Sequence, residues 1–381
     1  MSIASKPYFL LSCIIASTAF FSCGKEDRSA VSYSYNYTLK PVKIEKIRAD
    51  EYTSFQTMSS PQIVTDSNGE YFTFFNSHSY QLYLYDLESL KLVKKIKLFK
   101  DGPNGIGECK GGVFLHRLDS IFVSDNYKIF LLDSLGIKKN SYSLESLDPS
   151  AISFFNLTSL PFIQNGKMYM EVAPDLDPFT ISNFEYFPVI LELNLQNSSK
   201  RFVCQLPEQY SKENYAPNFL IGGFCFNSKS DLLSVTYPIS SNVYQFNLNG
   251  DAIDRLECYS RYEQSTFLEG TKKMETSFLE RTKFYLTNNS YDFIFYDKFR
   301  DNYIRILMKK ISEDDFINKK WKKQASAMIL DGQFNVIGEQ DLEESFYIPF
   351  WGFTKKNIIL LEWKEQDENN FYLHFMNYTQ K

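Results

Sequence analysis

From about residue 40 onward the chain is built of short apolar runs separated by Asp, Asn, Gly and Ser. Residues 61–98 show the pattern most clearly. Gln62-Ile63-Val64, Tyr71-Phe72-Thr73-Phe74-Phe75, Gln81-Leu82-Tyr83-Leu84-Tyr85 and residues 91–98 are β-prone; Asp66-Ser67-Asn68-Gly69 and residues 76–79 and 86–89 carry turn residues. The alternation predicts two hairpins in series, which make one antiparallel four-stranded sheet.

The pattern returns. Val113-Phe114-Leu115, Phe162-Ile163, Phe224-Cys225-Phe226, Phe284-Tyr285-Leu286 and residues 350–353 each open a new strand–turn–strand unit. The spacing is roughly 57 residues, in the range of propeller or solenoid repeats with insertions. Asn165-Gly166 and Asp331-Gly332 sit where tight hairpins need positive φ. In the fifth unit, residues 312–322 also predict a short exposed helix capped by Ser312. The last unit is one strand short, with residues 371–378 alone following residues 358–363. Residues 40–47 near the start match residues 91–98 in pattern. Pairing this early strand with the last unit predicts a six-bladed β-propeller closed by its N-terminal strand, with seven blades as the alternative. Pro41 is compatible with an edge position.

The start of the chain adds an address. Residues 1–6 carry one positive charge, residues 9–21 are apolar, and Ser22-Cys23-Gly24 follows. This is a signal-peptide layout, and the apolar run is short of the roughly 20 residues that span a bilayer as a helix. Ser22 before Cys23 resembles the lipobox of bacterial lipoproteins, with Phe20 where that pattern usually has Leu, Val or Ile. The resemblance implies cleavage before Cys23, lipidation of its sulfur and a membrane anchor. Lys25-Glu26-Asp27 resembles the export signal of surface-exposed Bacteroidota lipoproteins, which implies a lipid-anchored position on the outer membrane facing outward, the periplasmic face being the alternative. The expected division is a leader over 1–22, a lipidated tether over 23–38 and a propeller over 39–381.

Composition narrows the function. The chain has 381 residues, 35 Phe and 26 Tyr, and a formal net charge of -5. The aromatic content suits pleated, half-buried strands, and the acidic balance argues against a nucleic-acid partner. The lysines of residues 91–97 alternate with apolar residues, as on a protected edge strand. His78, His116 and His374 lie far apart, without metal-ligand spacing. Cys109, Cys204, Cys225 and Cys258 remain after Cys23; three of them sit inside apolar strands and read as buried free thiols, although an exported protein could also pair them. The run Asp101-Gly102-Pro103-Asn104-Gly105-Ile106-Gly107 lacks the ending and helix of a phosphate-binding loop and reads as a tight connection between blades. No cofactor site is expected.

With the lipobox and the repeated hairpins, that glycine-rich run resembles the six-bladed propeller lipoproteins of unknown function in Bacteroidota. The resemblance spans nearly all of the mature chain and implies no activity. In a propeller, links between blades and links from second to third strands share one face, so residues 100–112, 171–186, 207–222 and 258–282 are expected to crowd together. Asn104, Asp175 and Asp177 are the candidates on that face. The expected function is a binding or protein-interaction module with an unknown protein or glycan ligand. The alternative is an envelope hydrolase or lyase using carboxylates such as Asp175 and Asp177. The aromatic run 346–353 is a possible stacking platform, though such a strand is more often core.

Overall fold

The computed structural model describes residues 31–145, 147, 151–155, 158–174, 189–213, 215, 217–263, 265–270, 277–367 and 370–381. A long strand, β1 (Tyr33–Arg48), leads into a meander of β2 (Met58–Thr65), β3 (Glu70–Asn76), β4 (Gln81–Asp86) and β5 (Leu92–Lys97). The second sheet is β6 (Gly112–Arg117), β7 (Ser120–Asp125), β8 (Lys128–Leu132) and β9 (Lys138–Ser143). The third holds β10 (Ala151–Phe154), β11 (Phe162–Gln164), β12 (Lys167–Pro174), β13 (Ile190–Asn194) and β14 (Lys200–Phe202). The fourth is β15 (Gly223–Asn227), β16 (Leu232–Thr236), β17 (Asn242–Asn247) and β18 (Ala252–Glu257). The last seven strands are β19 (Ser290–Asp297), β20 (Asn302–Met308), β21 (Ala325–Leu330), β22 (Val336–Asp341), β23 (Phe346–Phe353), β24 (Ile358–Glu362) and β25 (Asn370–Gln380). With β1 they form one eight-stranded sheet in the order β19-β20-β21-β22-β1-β25-β24-β23. Helices α1 (Gln209–Lys212), α2 (Phe278–Leu286) and α3 (Glu313–Ile317) lie in connections. The fold is all-β and propeller-like.

Turn chemistry sets the hairpins. Asp66 accepts the backbone N–H groups of Asn68 and Gly69, and Asn194 those of Gln196 and Asn197. Asn227 and Asp331 repeat the device in later sheets. Such side chains substitute for a backbone acceptor and hold the reversal. Asn165 and Gly166 both take positive φ, 51° and 73°, as a two-residue hairpin requires.

The eight-stranded sheet is two meanders joined through β1. The strand runs antiparallel to β25 from Tyr37↔Gln380 to Arg48↔Asn370, with an irregularity between Pro41 and Lys43. Its start pairs in parallel with β22 at Tyr33↔Val336 and Tyr37↔Gly338. The segments expected to meet, near Val42 and near Phe371, therefore lie side by side, and β1 already begins at Tyr33, inside the stretch expected as tether.

Side chains stitch first strands of neighbouring sheets. Ser60 accepts from Val113 N–H at 2.9 Å, and Gln62 accepts from Leu115 N–H at 3.2 Å, so β2 and β6 run parallel side by side. Ser159 accepts from Phe224 N–H at 2.6 Å between the third and fourth sheets. A first strand has one unpaired backbone edge, and these bonds satisfy it where water is excluded. Outside the seams the sheets interlock through aromatic rings: Phe371 packs 5.6 Å from Phe72 and 5.8 Å from Phe74, joining β25 to β3. The fully buried Arg305 of β20 donates to Thr236 Oγ1 and to the carbonyls of Ser240, Ser241, Asn242 and Cys258, and lies over the Tyr291 ring at 4.0 Å. It ties the connection after β16 to the next sheet.

Asp331-Gly332 does not take the positive φ expected of it; Phe334, two positions on, takes it instead at 66°. The fifth unit also departs from expectation. Phe284-Tyr285-Leu286 does not open the fifth unit; it is the last turn of α2, and the sheet starts one strand later, at β19. Ser277 caps the helix by accepting from Glu280 N–H at 3.1 Å, while its hydroxyl donates to the Glu280 carboxylate at 2.6 Å. That reciprocal pair fixes a helical start ahead of the aromatic run. The short helix over 313–317, capped by Ser312, forms as expected.

Candidate functional site

Strands alternate in direction, so in every sheet the second-to-third links and the links leading onward open at the end where the first strand begins. Described residues of two long connections, 207–222 and 258–282, meet there. Tyr215 donates to Leu268 O at 3.0 Å, and Phe219 packs 5.5 Å from Phe284 and 5.4 Å from Tyr285.

On this end lies a cavity of about 280 Å³ lined by Tyr285, Leu286, Met308, Trp321, Phe346 and Ile348, with Lys322, Gln324, Glu343 and Glu344 at its rim. Three segments build it: the end of α2, the β20–β21 link with α3, and the β22–β23 link. Beneath it, Lys323 is only 8% exposed. Its ammonium donates to Asn288 O at 2.8 Å, Ser290 Oγ at 2.9 Å and Tyr285 O at 3.2 Å. A cation there complements the carbonyl end of α2. Burial pushes the amine down to about 8, opposed by the Asp292 charge. Asp292 is buried on β19; burial raises its pKa against the pull of Lys323. Its Oδ2 accepts from Tyr285 O–H at 2.9 Å, and its Oδ1 has no hydrogen-bond partner among the described residues. Since every proton of Lys323 is engaged, the group fixes the pocket floor rather than offering a free nucleophile.

The wall opposite is braced too. Phe346 meets His374 edge-on at 4.9 Å, and His374 Nε2 lies 2.7 Å from Glu362 Oε2. Burial works to raise the Glu362 pKa, but hydrogen bonds from Ser345 and His374 and nearby positive charge bring it below its usual value.

The residues singled out from sequence divide sharply. Asn104 sits in the connection between the first two sheets, where its Oδ1 accepts from Lys138 N–H at 3.3 Å; it fastens that loop to β9. Gly102 and Gly107 take φ of 84° and 70°, as a tight connection needs. Cys23, Asp175 and Asp177 lie outside the described residues. His78 stacks on Tyr52, and His116 is half-buried beside Phe114, so the histidines stay apart. All four described cysteines are free thiols, and burial pushes those of Cys109 and Cys258 up to about 12. No metal-holding group of His, Cys, Asp or Glu occurs among the described residues. Glu171, the first residue of the connection expected over 171–186, is instead buried on β12, opposite Phe154. It accepts from Thr158 N–H at 3.0 Å, and burial lifts its pKa to about 8. Sequence reading passed over Lys323, because it closes a lysine-rich run, and Asp292, because it falls inside a strand.

A second groove, about 540 Å³, runs between β1 and the first sheet, lined by Lys46, Arg48, Glu51, Leu90 and Leu92. Lys46 pairs with Asp367 at 2.7 Å, and nearby Lys95 pairs with Asp50 at 2.7 Å. Its lysines lie on outer strands, where charge protects an edge.

Three solved structures similar to this chain follow, the first of which shares its fold. A crystal structure of a DUF4221 family member from Bacteroides vulgatus matches with a TM-score of 0.75 at 17% identity, over 91% of this chain and 100% of that one. A calcium-binding protein, regucalcin, from Agrobacterium tumefaciens matches at a TM-score of 0.47 and 10% identity, over 93% of this chain and 98% of that one. The β-propeller domain of Cps50 (Swd1) from Myceliophteria thermophila follows at 0.45 and 6%, over 88% and 100%. No curated protein matches the chain. The sequence profile of the domain of unknown function DUF4221 matches residues 43–341, and the chain belongs to that family.

Proposed function

We propose that this chain is a lipid-anchored cell-envelope protein, a six-bladed propeller latched by β1, whose loop-bearing end is a binding or protein-interaction surface. In this reading the sheets that begin with β2, β6, β10, β15, β19 and β23 are the blades. First-strand neighbours support it: β2 touches both β6 and β23, and β15 and β23 both touch β19.

One observation carries the functional reading. The described chain enters at the end opposite the loops: Val336 N–H donates to Ser32 O, and Lys381 N–H donates to Asn36 O at the other terminus. An anchor at Cys23 then leaves the loops and the 280 Å³ pocket facing away from the membrane. Rigid scaffolds that present long loops are where binding residues concentrate. Several acyl chains hold such a protein stably.

Two measurements test this. Labelled palmitate enters the wild-type chain and not the Cys23→Ala variant; equal labelling removes the anchor. Proteinase added to intact cells cuts the loop-bearing end, whereas full protection removes outward display. A thermal-shift screen of the detergent-solubilised chain against glycans, peptides and metals then reads binding, because a ligand of the folded state raises its melting point. Turnover abolished by replacing Asp175 and Asp177 would make the protein an envelope hydrolase or lyase instead.

A further inference from the structure

We propose that the pocket between α2, α3 and the β22–β23 link is a saccharide subsite, with Trp321 as its stacking platform and Lys322, Gln324 and Glu343 as hydroxyl partners. The inference rests on reading this end as a binding surface, and it names the ligand class.

Trp321 is 41% exposed, yet it is not loose. Its indole N–H donates to Phe316 O at 2.8 Å, and its ring stacks on Phe316 with centroids 5.4 Å apart and planes at 15°. Phe316 in turn lies under the Lys283 ammonium at 5.9 Å, and Lys283 pairs with Glu313 at 2.7 Å. The indole is thus fastened to α3, which Lys283 of α2 braces, before any ligand arrives, and this lowers the ordering cost of binding. Trp351 and Trp363, by contrast, are buried.

The lining selects among ligands. Trp321, Phe346, Leu286, Met308 and Ile348 offer apolar faces, while Lys322, Gln324, Glu343 and Glu344 at the rim supply donors and acceptors of both signs. Lys322 and Glu344 lie 3.5 Å apart. A cation would meet Lys322 with Lys323 beneath, an anion would meet two carboxylates, and a purely apolar guest would strip water from the rim charges without replacing it. A neutral ring with C–H faces and edge hydroxyls that both donate and accept satisfies walls and rim together.

The test is tryptophan fluorescence with acrylamide quenching, followed by calorimetry, using cellohexaose, laminarihexaose, mannohexaose, xylohexaose and chitohexaose. At least one should shield the exposed indole saturably. Its affinity should fall about tenfold or more in Trp321→Ala, the loss of one well-placed aromatic contact. Glu343→Gln should weaken it severalfold, and Phe278→Ser, an exposed change on the first turn of α2, should leave it unaltered. Failure of all five sugars, or equal binding by Trp321→Ala, overturns the subsite. If the sugars fail while a peptide still shifts the melting point through this end, the saccharide assignment falls and the binding-surface reading stands.

Discussion

Glu171 shows how a residue's setting, rather than its type, decides its chemistry. Its pKa of about 8 stands against an ordinary value of 4.5, because burial penalises the charged form more than the Thr158 and Ser159 bonds favour it. The folded state therefore holds a proton that the unfolded chain releases between those two values. The stabilisation is complete below pH 4.5 and is lost as pH rises through 8. Asp292 shifts in the same direction, whereas Lys323, lowered to about 8, acts with the opposite sign only above that pH. Comparing wild type with Glu171→Gln isolates the one group. Unfolding free energies from urea titrations at pH 5, 7 and 9 should fall more steeply in wild type, by on the order of several kcal/mol across the range. Parallel pH profiles would contradict a buried, protonated Glu171.

At the scale of elements, the hairpins were legible because their turns are written in single residues. Asp66, Asn194, Asn227 and Asp331 each head a reversal that they also hydrogen-bond, and Asn165-Gly166 can adopt little else. The fifth unit was misread for an equally local reason. Phe284-Tyr285-Leu286 has strand composition, but its conformation is settled upstream by the Ser277–Glu280 box. Ser-x-x-Glu at 277–280 is the sequence mark of such a start, whereas the aromatic run taken alone reads as strand. The bond from Thr158 N–H to Glu171 had no such marker, so the burial of that carboxylate could not be read. Ser277→Ala should destabilise the protein by about 1 kcal/mol. The change should weaken α2 and with it the Phe316–Lys283 support of Trp321, seen as greater acrylamide quenching. A loss of stability without any change at Trp321 would separate the cap from the pocket.

For the whole molecule, the repeat and the missing last strand were enough to bring residues near Val42 beside those near Phe371, a contact between opposite ends of the chain. The pocket was not legible, because its parts come from three links whose meeting depends on blade geometry. Joining the first strand to the last sheet also explains why the first and last described residues share one end and the described loops the other. This latch is the central claim, and a cross-link tests it most directly. Thr38 and Thr379 face each other across β1 and β25. A Thr38→Cys, Thr379→Cys double variant, mildly oxidised, should form a disulfide that joins the chain ends, migrates faster on a non-reducing gel and raises the urea midpoint, because closing so long a loop restricts the unfolded chain. Absence of that cross-link, with each single variant folded, would contradict the latch.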